Sequence, residues 1–336
     1  MNQLEIHTKD LKMKTKLNFP ISVDQFMQYA LYDKDNGYYM KKTPMGTSNA
    51  DFITAPELSP IFGEVISFWI LNKIFEHSGK VNILELGPGK GTLAADILNT
   101  IEKMSPSHFA NIEYNLLEIS PTLKQEQALT LAGFNNIKWV DNITDIRSDN
   151  LTIVLANEFF DALPAKQYVK QNNQYFERLI DKDYNFTLAK EATFIGKDYT
   201  EEFVEIYPDL PKILEQLESL YAEILIIDYG NLGTNDTLQA VKNHKKVGVF
   251  EDIGNSDLTT QVDFRQIIKP FDGQAEINIS NMADFLTANG ILIRAEQLLE
   301  TASESQKENL NYILKKLLDE SEMGKIFKAL EISHVE

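Results

Sequence analysis

Apolar positions recur along this chain with two alternating periods. Ile61, Phe62, Val65, Ile66, Trp69, Ile70, Ile74 and Phe75 fall at helical spacing. Ser59 followed by Pro60 supplies an N-cap and a first helical position, and Gly79 is the expected stop. Residues 22–32 carry a similar pattern behind Ser22. From residue 81, short apolar runs alternate with helical stretches. Strands are predicted at 81–86, 112–118, 137–140 and 151–156, with helices at 92–103 and 122–132. This order implies βαβ units, and so a parallel sheet with helices on both faces.

The pattern changes after residue 165. The runs QYVKQ, QYFERLI and FTLAKE between 166 and 195 are joined by polar turns, including Asn172-Asn173, and read as an inserted antiparallel meander. A helix at about 211–221 and an apolar strand at 224–230 return to the main sheet. Residues 231–265 are polar and loop-rich, as a substrate lid would be. Helices at 281–289 and about 303–320 and a strand at about 324–332 close the chain. The division expected is an N-terminal helical and loop region (1–80), a ligand-binding core (81–164), an inserted α+β subdomain (165–222) and the rest of the core with the lid (223–336).

The sharpest chemistry lies at 83–92, ILELGPGKGT. An apolar strand ends at an acid, Glu85, and Gly87, Gly89 and Gly91 follow before a helix begins. Such a turn needs φ > 0 and lets a ligand approach the backbone. A phosphate loop requires glycine where this chain has Leu84, and the dinucleotide fingerprint places its third glycine one residue later. A carboxylate at 85 repels a pyrophosphate but pairs with an ammonium group. E-x-G-x-G-x-G resembles the first motif of S-adenosylmethionine (SAM) methyltransferases, whose cofactor carries an amino-acid tail and no phosphate. Glu118, at the end of the second strand, is placed to accept both ribose hydroxyls.

Residues 157–164, NEFFDALP, follow the fourth strand. Glu158 and Asp161 stand beside two aromatics at the carboxyl end of the sheet, the natural place for an acceptor. A guanidinium acceptor needs carboxylates, because arginine presents a planar fork of donors. The N-P-P-[FY] sequence of many amino-directed nucleic-acid methyltransferases is absent, since Glu158 follows Asn157. Asp228-Tyr229-Gly230 ends a later strand at the same mouth, and Tyr38, Tyr39, Trp139, Phe159 and Phe160 are candidates to stack on adenine or a cation.

Composition removes several classes. The 336 residues contain no cysteine, which excludes disulfides, thiolate catalysis and Cys-rich zinc sites. Five scattered histidines form no metal-ligand spacing, so no metal is expected. A formal charge of −18 argues against a backbone-tracking nucleic-acid binder and suits a basic polypeptide substrate. No apolar signal segment or membrane-spanning stretch is evident, and a cytoplasmic location without membrane insertion is expected.

Eight blocks occur in order: GYY at 37–39, DFITAPELSPIFGE at 51–64, ELGPGKGTL at 85–93, LLEISP at 116–121, ANEFFDALP at 156–164, IIDYG at 226–230, DLTTQVDF at 257–264 and MGKIFKAL at 323–330. Together they resemble the MidA family of SAM-dependent methyltransferases over nearly the whole chain. The resemblance implies a Rossmann-like seven-stranded sheet with an inserted substrate subdomain. It implies SAM contacts from Glu85, Gly87, Pro88, Gly89, Gly91, Glu118 and Asn157, and from Thr54 in the loop at 51–57. Glu158 and Asp161 are then the expected catalytic pair. The family includes a mitochondrial respiratory complex I assembly factor that methylates an arginine. The substrate expected is accordingly a protein, with a complex I subunit one candidate, and a homodimer is an expected assembly. Two other readings stay open: a small-molecule methyltransferase, and a SAM-binding assembly factor without turnover. One departure is visible, because Thr260-Gln261 stands where the family usually has Ala-His.

Overall fold

The computed structural model describes residue 13 and residues 16–41, 54–147 and 149–334. Its centre is a seven-stranded sheet built from β1 (Val81–Leu86), β2 (Ile112–Leu117), β3 (Ile137–Val140), β4 (Leu151–Asn157), β5 (Glu223–Asn231), β6 (Ala275–Asn281) and β7 (Phe327–His334). Their spatial order is β3-β2-β1-β4-β5-β7-β6. The first five are mutually parallel, and β7 runs antiparallel to both β5 and β6. Every residue of β1 is buried, as expected of a parallel strand covered on both faces.

Helices pack on the two faces. α1 (Val23–Tyr32) lies in one core, where Phe26, Met27 and Leu31 meet Leu84, Val154 and Ile226. Its first turn is closed by Gln25 Oε1, which accepts from the Ser22 amide at 3.1 Å. In the opposite core, α2 (Pro60–Ile74) and α3 (Thr92–Met104) pack on Ile83, Ile153 and Leu225. Ser59 Oγ accepts from the Ile61 amide at 3.3 Å, a cap worth about 1 kcal/mol. α2 is apolar around most of its circumference and ends at Ile74, five residues before the expected Gly79. α4 (Pro121–Thr130) follows β2, and α5 (Leu210–Glu218) precedes β5. α6 (Met282–Ala288), α7 (Ile291–Thr301) and α8 (Glu304–Leu318) follow in the chain between β6 and β7.

Register sets the site. Leu86 pairs with Leu117 on one side and Ala156 on the other, and Asn157 pairs with Ile227. Gly87, Glu118 and Glu158, the residues just past β1, β2 and β4, therefore stand at one level with Asp228 of the longer β5. The order reverses between β1 and β4, and ligands bind at such a switch point.

The insertion contains the three expected strands, Lys166–Gln171, Gln174–Ile180 and Phe186–Thr193. Asn172 and Asn173 both hold positive φ, as a two-residue hairpin demands. This sheet also recruits Phe203–Ile206 and the distant Ile21–Ser22, so it is tied to the N-terminal region. Residues 231–265 are more ordered than a loop-rich lid. Gln239–Lys242, Lys245–Val247 and Asp257–Thr259 form a small antiparallel sheet, and Val262–Asp263 pairs with the end of β5.

Candidate active site

A cavity of about 530 Å³ opens at the carboxyl ends of β1, β2, β4 and β5. Gly87, Gly89 and Gly91 all adopt left-handed φ, between 54° and 81°. A Cβ on Gly87 would also lie 2.9 Å from the Phe159 ring. Glycine is thus required both by the backbone and by close packing. Gly91 caps α3, whose N-terminus is directed at this turn.

Two buried acids flank the glycines. Glu85 is 3% exposed, and its Oε2 accepts from the Tyr114 hydroxyl at 2.8 Å. Burial pushes its carboxyl up to about 7, opposed by the Tyr114 bond. Glu118 accepts from the Ser120 amide at 2.7 Å through Oε1 and from Gln127 Nε2 at 3.2 Å through Oε2. Gln127 is fully buried. Its amide nitrogen also donates to Gly89 O at 2.8 Å, and its Oε1 accepts from Trp139 Nε1 at 2.8 Å. One side chain on α4 thus ties Glu118 to the glycine turn. Burial raises Glu118, and its hydrogen bonds oppose the rise.

The other end is built by the segment after β4. Glu158 holds φ of 51°, an uncommon conformation for a non-glycine residue. Its amide donates to Ile227 O at 2.9 Å, and its Oε1 accepts from the Ala55 amide at 3.4 Å and Asn157 Nδ2 at 3.3 Å. Burial first, then Asp161, pushes Glu158 up to about 8. Asp161 is 6% exposed, is raised by burial, and keeps Oδ1 without a hydrogen-bond partner. Asn157 Oδ1 is likewise buried and unpartnered. Asp228 Oδ2 accepts from the amides of Phe160 and Asp161 at 3.0 and 3.2 Å and so fixes this turn. From the N-terminal side, the Tyr39 hydroxyl donates to Asp257 Oδ1 at 2.9 Å and that of Tyr32 to Ala162 O at 2.9 Å.

Of the site residues read from the sequence, Thr54, Glu85, Gly87, Pro88, Gly89, Glu118, Asn157, Glu158, Asp161 and Tyr229 line this cavity. Gly91 stands just behind, packed on Leu131. Residues 51–53 of the expected SAM loop lie outside the described residues. Among the aromatic candidates, Tyr39 and Phe159 line the cavity, whereas Tyr38 and Phe160 are core and Trp139 serves Gln127. Gln261 is exposed, its Oε1 accepting from Asn231 Nδ2 at 3.4 Å, and it does not line the cavity. Sequence reasoning missed Tyr114, Gln127 and Asp257, while Glu57 falls within the expected loop at 51–57 without having been singled out. Only a polar residue at a helix position expected to be buried, as at Gln127, gave any signal.

The cavity suits SAM. The left-handed glycines bare their backbone, Glu85 supplies a carboxylate for an ammonium group, and Glu118 is held with lone pairs to spare for a diol. Strand order, switch point and these acids together define a SAM-dependent methyltransferase. A family model described as "Putative S-adenosyl-L-methionine-dependent methyltransferase" matches residues 65–282, and the chain belongs to that family, the MidA methyltransferases. It is 33% identical over 368 residues to the protein arginine methyltransferase NDUFAF7, mitochondrial, of Mus musculus, covering 97% of this chain and 84% of that one. Against the Homo sapiens protein of the same name the identity is 32% over 361 residues, covering 95% and 81%. The fold matches a Burkholderia thailandensis protein crystallised with S-adenosyl-homocysteine, at a TM-score of 0.81 and 23% identity over 98% of this chain and 93% of that one. No helix among the described residues is long and apolar enough to cross a membrane.

Proposed function

We propose that this protein transfers a methyl group from SAM to an arginine side chain of a polypeptide. The acidic end of the cavity carries this reading. Among the described residues, seven acids line the cavity: Glu57, Glu85, Glu118, Glu158, Asp161, Asp209 and Asp257. They face one cation, Lys90, which is paired with Glu57 at 3.3 Å. The bare acceptors Asn157 Oδ1 and Asp161 Oδ1 lie beside Glu158. A guanidinium, with five donors in a planar fork, matches that set. The names of the mouse and human relatives agree with this acceptor.

When bound, SAM supplies an electrophilic methyl on a sulfonium. Glu85 would hold its ammonium group and Glu118 its ribose hydroxyls. Asp161 and Asn157 would orient the guanidinium, and Glu158 would take up the proton it loses as its nitrogen gains the methyl and the methyl–sulfur bond breaks, leaving S-adenosyl-homocysteine. A carboxyl raised to about 8 suits a proton acceptor near neutral pH. Phe159, Leu163 and Pro164 wall off water, which favours displacement over hydrolysis.

The test is incubation with methyl-labelled SAM and a cell lysate, followed by mass spectrometry of the digested proteins. Methylarginine in a polypeptide is expected. Label confined to small molecules would replace this reading with a small-molecule methyltransferase. SAM binding without transfer to any component would leave a binding factor.

A further inference from the structure

A second cavity, of about 590 Å³, adjoins the first, and Gln28, Tyr32, Pro164 and Asp209 belong to both walls. One side of it is a face of α1, which contributes Asp24, Gln25, Gln28, Tyr29 and Tyr32 at helical spacing. The neck is fixed by the Tyr32 hydroxyl bond to Ala162 O, one residue from Asp161.

The polar groups of this cavity are not used up by the fold. Tyr29 is 6% exposed and its hydroxyl has no hydrogen-bond partner among the described residues. Asp24 Oδ1 is also buried and unpartnered. Two cations line the cavity, Lys34 and Lys16, the latter paired with Asp33 and 5.8 Å from the centre of the Tyr29 ring. Lys166, in electrostatic reach of Asp24, pairs with Glu177 at 3.1 Å. Among the described residues none bonds Asp24 Oδ1 or the Tyr29 hydroxyl. Buried polar atoms are rarely left bare, so a bare acceptor and a bare hydroxyl in one space point to a ligand carrying N–H donors. A compartment joined by a neck to the acidic end calls for an occupant longer than one side chain.

We propose that this cavity binds the substrate polypeptide next to the methylated residue and takes a basic side chain there, with Asp24 and Tyr29 as its partners and Asp209 at the neck. The inference rests on the polypeptide reading of the main cavity. It makes sequence around the acceptor a determinant of specificity, set by charge complementarity.

The test is calorimetric titration of nonapeptides into the protein saturated with S-adenosyl-homocysteine, which needs no turnover. Each peptide has a central arginine, flanked on one side or the other by lysine or alanine. A lysine-flanked peptide is expected to bind about tenfold more tightly than its alanine counterpart. Asp24→Asn and Tyr29→Phe are each expected to reduce that preference by roughly threefold or more, with SAM affinity unchanged. Tyr29→Phe removes a hydroxyl that makes no bond in the fold, so the folded protein survives this change. Binding of neither peptide, equal binding of both, or a preference that survives both variants overturns the proposal. Lysine-dependent binding without methyl transfer would instead sink the arginine-methylation reading and leave the subsite standing.

Discussion

The Tyr114 hydroxyl donates a 2.8 Å hydrogen bond to Oε2 of Glu85, and both side chains are buried at the base of the glycine turn. Burial drives the Glu85 carboxyl up to about 7, and this bond opposes the drive. If Glu85 pairs with the ammonium group of SAM, affinity should rise with pH through about 7. Tyr114→Phe should move that rise to higher pH and weaken binding at pH 7 by roughly threefold to tenfold. Calorimetric titrations at pH 6, 7 and 8 check this. An affinity that ignores both pH and the substitution would remove Glu85 from the cofactor site.

Glu158 combines a left-handed backbone with a half-buried carboxyl that desolvation raises. Both features oppose folding, and such strain gathers at sites of function. Glu158→Gly should therefore stabilise the protein by about 1 kcal/mol while abolishing methyl transfer. Urea denaturation alongside a transfer assay measures the two together. A less stable glycine variant would show that the hydrogen bonds of Glu158 hold the fold.

Several carboxyls share one direction of shift. Burial raises Glu158 to about 8, Glu85 and Glu205 to about 7 and Asp96 to about 6. Their unfolded counterparts lose protons near pH 4. Between about pH 4 and pH 8 the folded state thus holds more protons than the unfolded one, and these groups make stability fall as pH rises. The melting temperature of the ligand-free protein should drop from pH 5 to pH 8, and saturating SAM should restore part of it at pH 8. A melting temperature that climbs across this range contradicts the assignment.

At Gly230 an added Cβ would lie 2.1 Å from Val262 O. Gly230→Ala must part β5 from Val262–Asp263, the pairing beside the turn that Asp228 fixes. A loss of about 2–3 kcal/mol in stability is expected, with a weaker effect on SAM affinity. Chemical denaturation and a SAM titration would separate the two effects, and a neutral substitution would mean that the strands part at little cost.

The strands around the site were legible because parallel strands covered on both faces leave continuous apolar runs, as in residues 81–86 and 151–156. β6 was not, since AEINISN at the sheet edge alternates weakly and buries little. α7 was missed: a helix was expected at 281–289 and the next only at about 303, whereas Gly290, with φ of 90°, joins two consecutive helices. The motif residues were legible through their chemistry at strand ends. Gln127, Tyr114 and Asp257 were not, because their roles depend on partners 29 to 218 positions away or on α4 packing back on the glycine turn. The second cavity was hidden for the same reason. It exists only where α1 meets the segments at Pro164 and Pro208.

The central claim is that cofactor and acceptor occupy opposite ends of one cavity. It is tested most directly by titrating SAM into the wild type, Gly89→Val and Glu158→Gln, and assaying transfer by each. Wild type should bind in the micromolar range, and Gly89→Val, which forces a β-branched residue to φ of 54°, should not bind. Glu158→Gln should bind within about twofold of wild type and lose roughly a hundredfold in transfer, about 2.7 kcal/mol of barrier. Equal loss of binding and transfer in Glu158→Gln would place that residue in the cofactor site and contradict the account.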